Sequence, residues 1–133
     1  MSNVSAMIDS HPQSGSVDKQ LLAECIEACF SCAQTCTACA DACLSEDSVA
    51  DLRDCIRTDL DCADICAATG TVLTRLTGSN TATVRALLEA CRTACAECAA
   101  DCEEHADHHE HCRICAEACR RCEKACAALL ESL

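Results

Sequence analysis

The feature that most limits what this chain can become is a ladder of cysteines in steps of four and three. Cys25, Cys29, Cys32, Cys36, Cys39 and Cys43 are spaced 4, 3, 4, 3 and 4 residues apart. Cys91, Cys95, Cys98 and Cys102 repeat the rhythm as 4, 3, 4, and Cys112, Cys115, Cys119, Cys122 and Cys126 as 3, 4, 3, 4. This spacing is the a/d seam of a helix, the stripe that faces a bundle axis. Cys55, Cys62 and Cys66 form a fourth seam, complete if Asp59 is its missing member. Positions that ordinarily hold Leu or Ile therefore hold thiols.

The segments between the ladders support four helices. Residues 17–44 are rich in Ala, Leu, Glu and Cys and lack Gly and Pro, as a helix requires. A polar stretch at 44–48 offers Ser45, Asp47 or Ser48 as caps for a second helix over about 48–77, which tolerates Gly70. Gly78, Ser79 and Asn80 read as a C′ glycine followed by N-cap residues, opening a third helix over about 81–106. Asp107 and Glu110 have capping-box spacing, so the fourth helix is expected from about 107 to 130. Four long helices with short links predict an all-α, antiparallel up-down-up-down four-helix bundle with a Cys-lined core over residues 17–133. Residues 1–16, with Pro12, Gly15 and five Ser, read as a disordered or loosely docked tail.

Eighteen of 133 residues are Cys, and their redox state decides their use. The N-terminal residues have no basic segment followed by an apolar one, so they do not read as a secretory signal, and a cytoplasmic location is expected. Thiols stay reduced there, and many of them point to metal rather than to bridges. Helical neighbours four apart also meet disulfide geometry poorly. A single Phe with no Trp or Tyr leaves no base-stacking surface, and a net charge of −12 repels phosphate, so nucleic acid is not expected as a partner. No apolar run approaches the roughly 20 residues that cross a bilayer, so no membrane partner is expected.

The plainer reading treats Cys as a small hydrophobe. For eighteen of them it fails on packing, because such a core has little volume and something must fill the axis. Charge selects the filler. A zinc ion on four thiolates leaves a local charge of −2, and several such sites stacked in a core are costly. One Cu(I) per thiolate leaves the core neutral, and Cu(I) is soft and thiophilic. Many Cu(I) ions, on the order of the thiol count, are therefore expected as cargo, with all eighteen Cys as ligands. Iron–sulfur clusters fit less well, since their ligands usually sit on loops.

The two ends of the seam differ. At one end it runs into Leu22, Leu73, Leu76, Val84, Leu88 and Leu129, an apolar plug. At the other the third-helix seam continues through His105 and His109, and the fourth extends back from Cys112 to His108. That end also carries Cys43 and Cys55, which makes it a histidine-lined mouth where metal is admitted. His105 and His109 are the better placed, since the register puts His111 off the seam. Asp59 reads either as a mouth ligand or as an exposed residue in a locally shifted register. Asp61, Asp64 and His11 read as solvated.

CIRTDLDCADICAAT (55–69), HCRICAEACRRCEKAC (111–126) and the ladder of the first helix resemble the copper storage proteins, in particular their cytosolic branch. The resemblance spans about residues 18–130. It implies a four-helix bundle that assembles as a homotetramer and holds many Cu(I) ions along a thiol-lined core, protecting against copper toxicity. Periplasmic members carry a signal peptide and Met residues near the mouth, whereas the only Met residues here are Met1 and Met7. The resemblance leaves open which protein donates or accepts the copper. It implies no enzyme. A zinc or general metallothionein-like buffer would differ only in its ion, and a thiol redox protein would need one or two exposed, low-pKa Cys.

Overall fold

The computed structural model describes residues 2–133; Met1 lies outside them. It contains five α-helices: α1 (Val4–Ser10), α2 (Lys19–Leu44), α3 (Arg53–Leu73), α4 (Thr81–His105) and α5 (Glu110–Ser132). The four long helices form an antiparallel bundle in which α2 lies beside α3 and α5, and α4 lies beside the same two. Cys25 near the start of α2 meets Cys126 near the end of α5, while Cys39 near the end of α2 meets Cys112 at the start of α5. The two helices therefore run in opposite directions with their thiol seams facing.

The helix ends follow from local chemistry. Asp18 caps α2, its carboxylate accepting the Leu21 amide at 3.0 Å. The 44–48 segment supplies no side-chain cap for α3. A single 3-10 turn (Val49–Leu52) leads into that helix and buries Leu52. Helix α3 ends at Leu73 rather than near 77, where the Thr74 and Arg75 amides fold back onto the Gly70, Thr71 and Val72 carbonyls. The β-branched run around this point weakens further helix. Gly78 then turns the chain at φ +74°, a conformation that suits glycine. Gly70 has a packing role in α3: a Cβ there would lie 2.9 Å from the Phe30 ring, so the glycine lets α2 seat its one aromatic against α3.

Within the N-terminal segment, residues 4–10 are helical: α1 lies against α2 with Ile8 buried as its anchor, and Asp9 pairs with Lys19 at 3.8 Å. The expected start of the last helix is corrected. The Asp107–Glu110 capping box does not form. The His108 and His109 amides instead bond the His105 carbonyl, closing a tight turn, and α5 starts at Glu110 with His109 as its N-cap residue.

The apolar plug closes one end of the bundle. Leu22, Leu73, Leu88 and Leu129 are buried, and Leu76 and Val84 pack partly buried against them. The plug supplies the large side chains that the sulfur-lined length lacks. Leu88 is fully buried there, so Leu88→Ala should cost the reduced, metal-free protein about 2–5 kcal/mol. Urea unfolding measures that cost. Metal capacity should be unchanged in the variant, because the plug lies beyond the last thiols.

Candidate metal centre

The seam geometry turns every cysteine inward. All eighteen thiols are free and buried, none more than 1 % exposed. From the plugged end, Cys25 touches Cys126 at 3.8 Å and Cys29 touches Cys122 at 3.7 Å. Cys66 then meets Cys91 and Cys95 at 3.7 and 3.6 Å, and Cys62 at 3.7 Å. Cys32 bridges Cys62 and Cys119, and Cys36 bridges Cys119, Cys98 and Cys115, at 3.5–3.9 Å. Nearer the mouth, Cys55 lies 3.5 Å from Cys102, and Cys39 lies 4.0 Å from Cys112.

These spacings suit shared metal ligation. A metal–sulfur bond of about 2.3 Å sets sulfurs about 3.8 Å apart around a tetrahedral ion and about 4.0 Å apart around a trigonal one. Four-sulfur groups recur along the axis, among them Cys29/Cys91/Cys122/Cys126, Cys32/Cys66/Cys95/Cys122, Cys32/Cys36/Cys62/Cys119 and Cys36/Cys98/Cys115/Cys119. Successive groups share members, so one thiolate can bridge two ions. The tube is a set of overlapping sites rather than a row of separate ones.

Asp59 sits inside this tube and is fully buried, so the exposed alternative is corrected. It stands one turn after Cys55 on α3, and its Oδ1 accepts from the thiols of Cys98, Cys115 and Cys102 at 2.9, 3.3 and 3.4 Å. Its Oδ2 faces Cys55 at 4.0 Å. Burial, reinforced by the sulfurs of Cys115 and Cys98, pushes its carboxyl up to about 12. The metal-free tube thus holds a neutral carboxylic acid among its thiols.

The mouth is built differently from the expectation. His111, which the register sets aside, supplies the nitrogen of a group with Cys39, Cys43 and Cys112. Its Nδ1 lies 3.4 Å from the Cys39 sulfur and 3.6 Å from the Cys112 sulfur. The reason is the break at 106–109. With α5 starting at Glu110, counting seam positions back from Cys112 leaves the helix before His108, while His111 in the first turn can reach across to α2. His108 is exposed, and His105 at the end of α4 is half-buried with its carbonyl engaged by the following turn. His109 is directed to Glu46 rather than to sulfur: its Nδ1 lies 2.8 Å from Glu46 Oε2. The same oxygen lies 2.8 Å from His111 Nε2, and the two rings stack with centroids 5.4 Å apart. Sequence reasoning does not reach Glu46, which lies in the polar 44–48 link without any periodic signal; only the need of a histidine pair for an acceptor points toward it.

The mouth groups are tuned in opposing ways. Burial pushes the Cys43 and Cys112 thiols up, so each gives up its proton less readily than a free thiol. Burial opposes protonation of His111, but its hydrogen bonds to Cys39 and Glu46 outweigh that and raise it above the usual imidazole range. Glu46 is held below the usual carboxylate range, chiefly by its hydrogen bond with His111.

The protonation of Asp59 can be tested. Its folded value lies above the unfolded one of about 3.9, so the folded protein keeps a proton that the unfolded chain releases. The resulting stability is fully present below about pH 4 and declines as pH rises through the window toward 12, by up to about 1.4 kcal/mol per pH unit. Asp59→Asn removes this slope. In urea unfolding of reduced, metal-free protein between about pH 5 and about pH 8, the wild-type midpoint should drop relative to the variant's. Parallel curves would show that Asp59 is already ionised in the folded state.

Comparison with known proteins agrees with this geometry. The family model described as copper storage protein matches residues 18–131. The structure of the copper storage protein Ccsp from Streptomyces lividans, loaded with 10 copper equivalents, superimposes with a TM-score of 0.96 at 57 % identity, covering 98 % of this chain and 99 % of that one. A second structure of a cytosolic copper storage protein from Streptomyces lividans, described with five coppers, has a TM-score of 0.87 and 61 % identity over 90 % of this chain and 99 % of that one. Csp3 of Bacillus subtilis in its Cu(I)-bound form has a TM-score of 0.71 at 36 % identity, over 80 % and 94 % of the two chains. The chain belongs to the copper storage protein family.

Proposed function

We propose that this protein stores and sequesters many Cu(I) ions in the cytosol on thiolates lining its bundle, as a homotetramer and without catalysing a reaction. The observation that carries the reading is the continuous run of buried sulfur contacts from Cys25 and Cys126 to Cys39 and Cys112. Cu(I) would be admitted at His111 with Cys39, Cys43 and Cys112, with His105, His108 and His109 around the opening. It would pass inward by exchange between neighbouring thiolates, with Asp59 as an oxygen donor part-way along. Supporting cytosolic storage, relatives of the same family are described as copper-loaded and as cytosolic. No helix among the described residues is long and apolar enough to cross a membrane.

Charge favours Cu(I) over zinc. Each Cu(I) neutralises one thiolate, whereas a zinc ion on four leaves two negative charges in a low-dielectric core. The four-sulfur groups do fit zinc geometrically, which keeps a zinc buffer as the competing reading. A redox enzyme is disfavoured, because no thiol is exposed enough to meet a substrate.

Titration of reduced, metal-free protein with Cu(I) against a competing chelator decides among these. Saturation should come on the order of the eighteen thiols. Saturation at only a few ions rejects storage, and displacement of bound copper by zinc would favour the buffer. Every thiolate formed releases a proton, and burial raises the Cys43 and Cys112 thiols, so apparent Cu(I) affinity should weaken as pH falls. The same competition titration repeated across pH reads that trend, and an affinity independent of pH would contradict thiolate ligation.

A further inference from the structure

Glu46 lies outside the group of Cys39, Cys43, His111 and Cys112, yet it ties the two halves of the mouth together. It follows α2 in the link to α3, and its partners His109 and His111 open α5. Its backbone is itself fixed: its amide bonds the Cys43 carbonyl at 3.2 Å, and its carbonyl accepts the Val49 amide at 3.2 Å. The residue is therefore rigidly linked to a thiol of the mouth group. Its Oε2 accepts from His111 Nε2, so the proton of a neutral ring sits on Nε2. His111 Nδ1 is then left with its lone pair directed at Cys39 and Cys112. A carboxylate that orients a histidine through its far nitrogen is the usual support of a metal-binding imidazole. The same oxygen takes His109 Nδ1, and the stacked His109 ring limits rotation of His111.

We propose that Glu46 is a positioning residue of the mouth, holding His111 with Nδ1 turned toward the Cys39 and Cys112 sulfurs so that incoming Cu(I) meets a preformed nitrogen–sulfur site. This rests on the storage reading and adds to it a residue that binds no metal. Glu46 acts through His111 and not as a bare negative charge near the opening.

The experiment follows Cu(I) transfer from a chelator complex into reduced full-length protein by stopped flow. It compares wild type, Glu46→Ala, Glu46→Gln, His111→Ala and the double variant Glu46→Ala/His111→Ala. Glu46→Ala should slow the initial phase by about tenfold or more, the usual loss on removing such a support. Total copper taken up should stay unchanged. In the His111→Ala background, Glu46→Ala should add no further slowing. Glu46→Gln, which keeps an acceptor oxygen but no charge, should retain most of the wild-type rate. Equal slowing by Glu46→Ala in both backgrounds, a Glu46→Gln rate as low as that of Glu46→Ala, or an unchanged Glu46→Ala rate would each overturn the proposal. A wild-type capacity of only a few ions would instead overturn the storage reading, while the variant rates still report on Glu46.

Discussion

A neutral thiol enters a protein core at little cost, whereas a thiolate there needs a cation beside it. That contrast governs the whole molecule. Without metal, the bundle folds around eighteen buried thiols that touch one another at van der Waals and weak hydrogen-bond distances. With metal, each proton lost must be replaced by positive charge at the same place, or the core carries uncompensated anions. A monovalent soft cation makes the replacement one for one. The rest of the architecture fits that exchange: long straight helices keep the seams in register, and overlapping groups let an ion find new partners before leaving old ones. The leucine plug supplies the packing that sulfur cannot.

Asp59 and the mouth mark where the sulfur pattern is interrupted. Asp59 replaces a thiol in the α3 seam, and three thiols donate to one of its oxygens. A hard oxygen donor among soft ones gives this layer a character the others lack. At the mouth, the helix break between α4 and α5 frees His111 from the strict register and brings an imidazole into a group otherwise made of sulfur. The break thus changes the chemistry of the open end as well as reversing the chain.

The bundle and its sulfur lining were legible in the sequence because a 4-3 spacing dictates side-chain direction without any tertiary information. What escaped depends on contacts between distant segments. The α1 helix is short and weakly apolar, and only the docking of Ile8 against α2 reveals it. The end of α3 is set by carbonyls captured within its last turn, a detail that Gly78 five residues later does not encode. The capping-box spacing at Asp107 lost to a turn closed on the His105 carbonyl. That shift moved the start of α5 and exchanged the roles of the histidines. Asp59 could be placed on the seam by spacing, but its protonation follows from burial among thiols, which only the assembled core shows.

The most direct test of the account is anomalous diffraction at the copper edge from crystals of protein fully loaded with Cu(I). The expected map shows a file of copper peaks along the bundle axis, each within bonding distance of cysteine sulfur, from the Cys25 and Cys126 layer to the group of Cys39, Cys43, His111 and Cys112. Copper confined to surface carboxylates and imidazoles, with the interior sulfurs unmetallated or joined as disulfides, would contradict it.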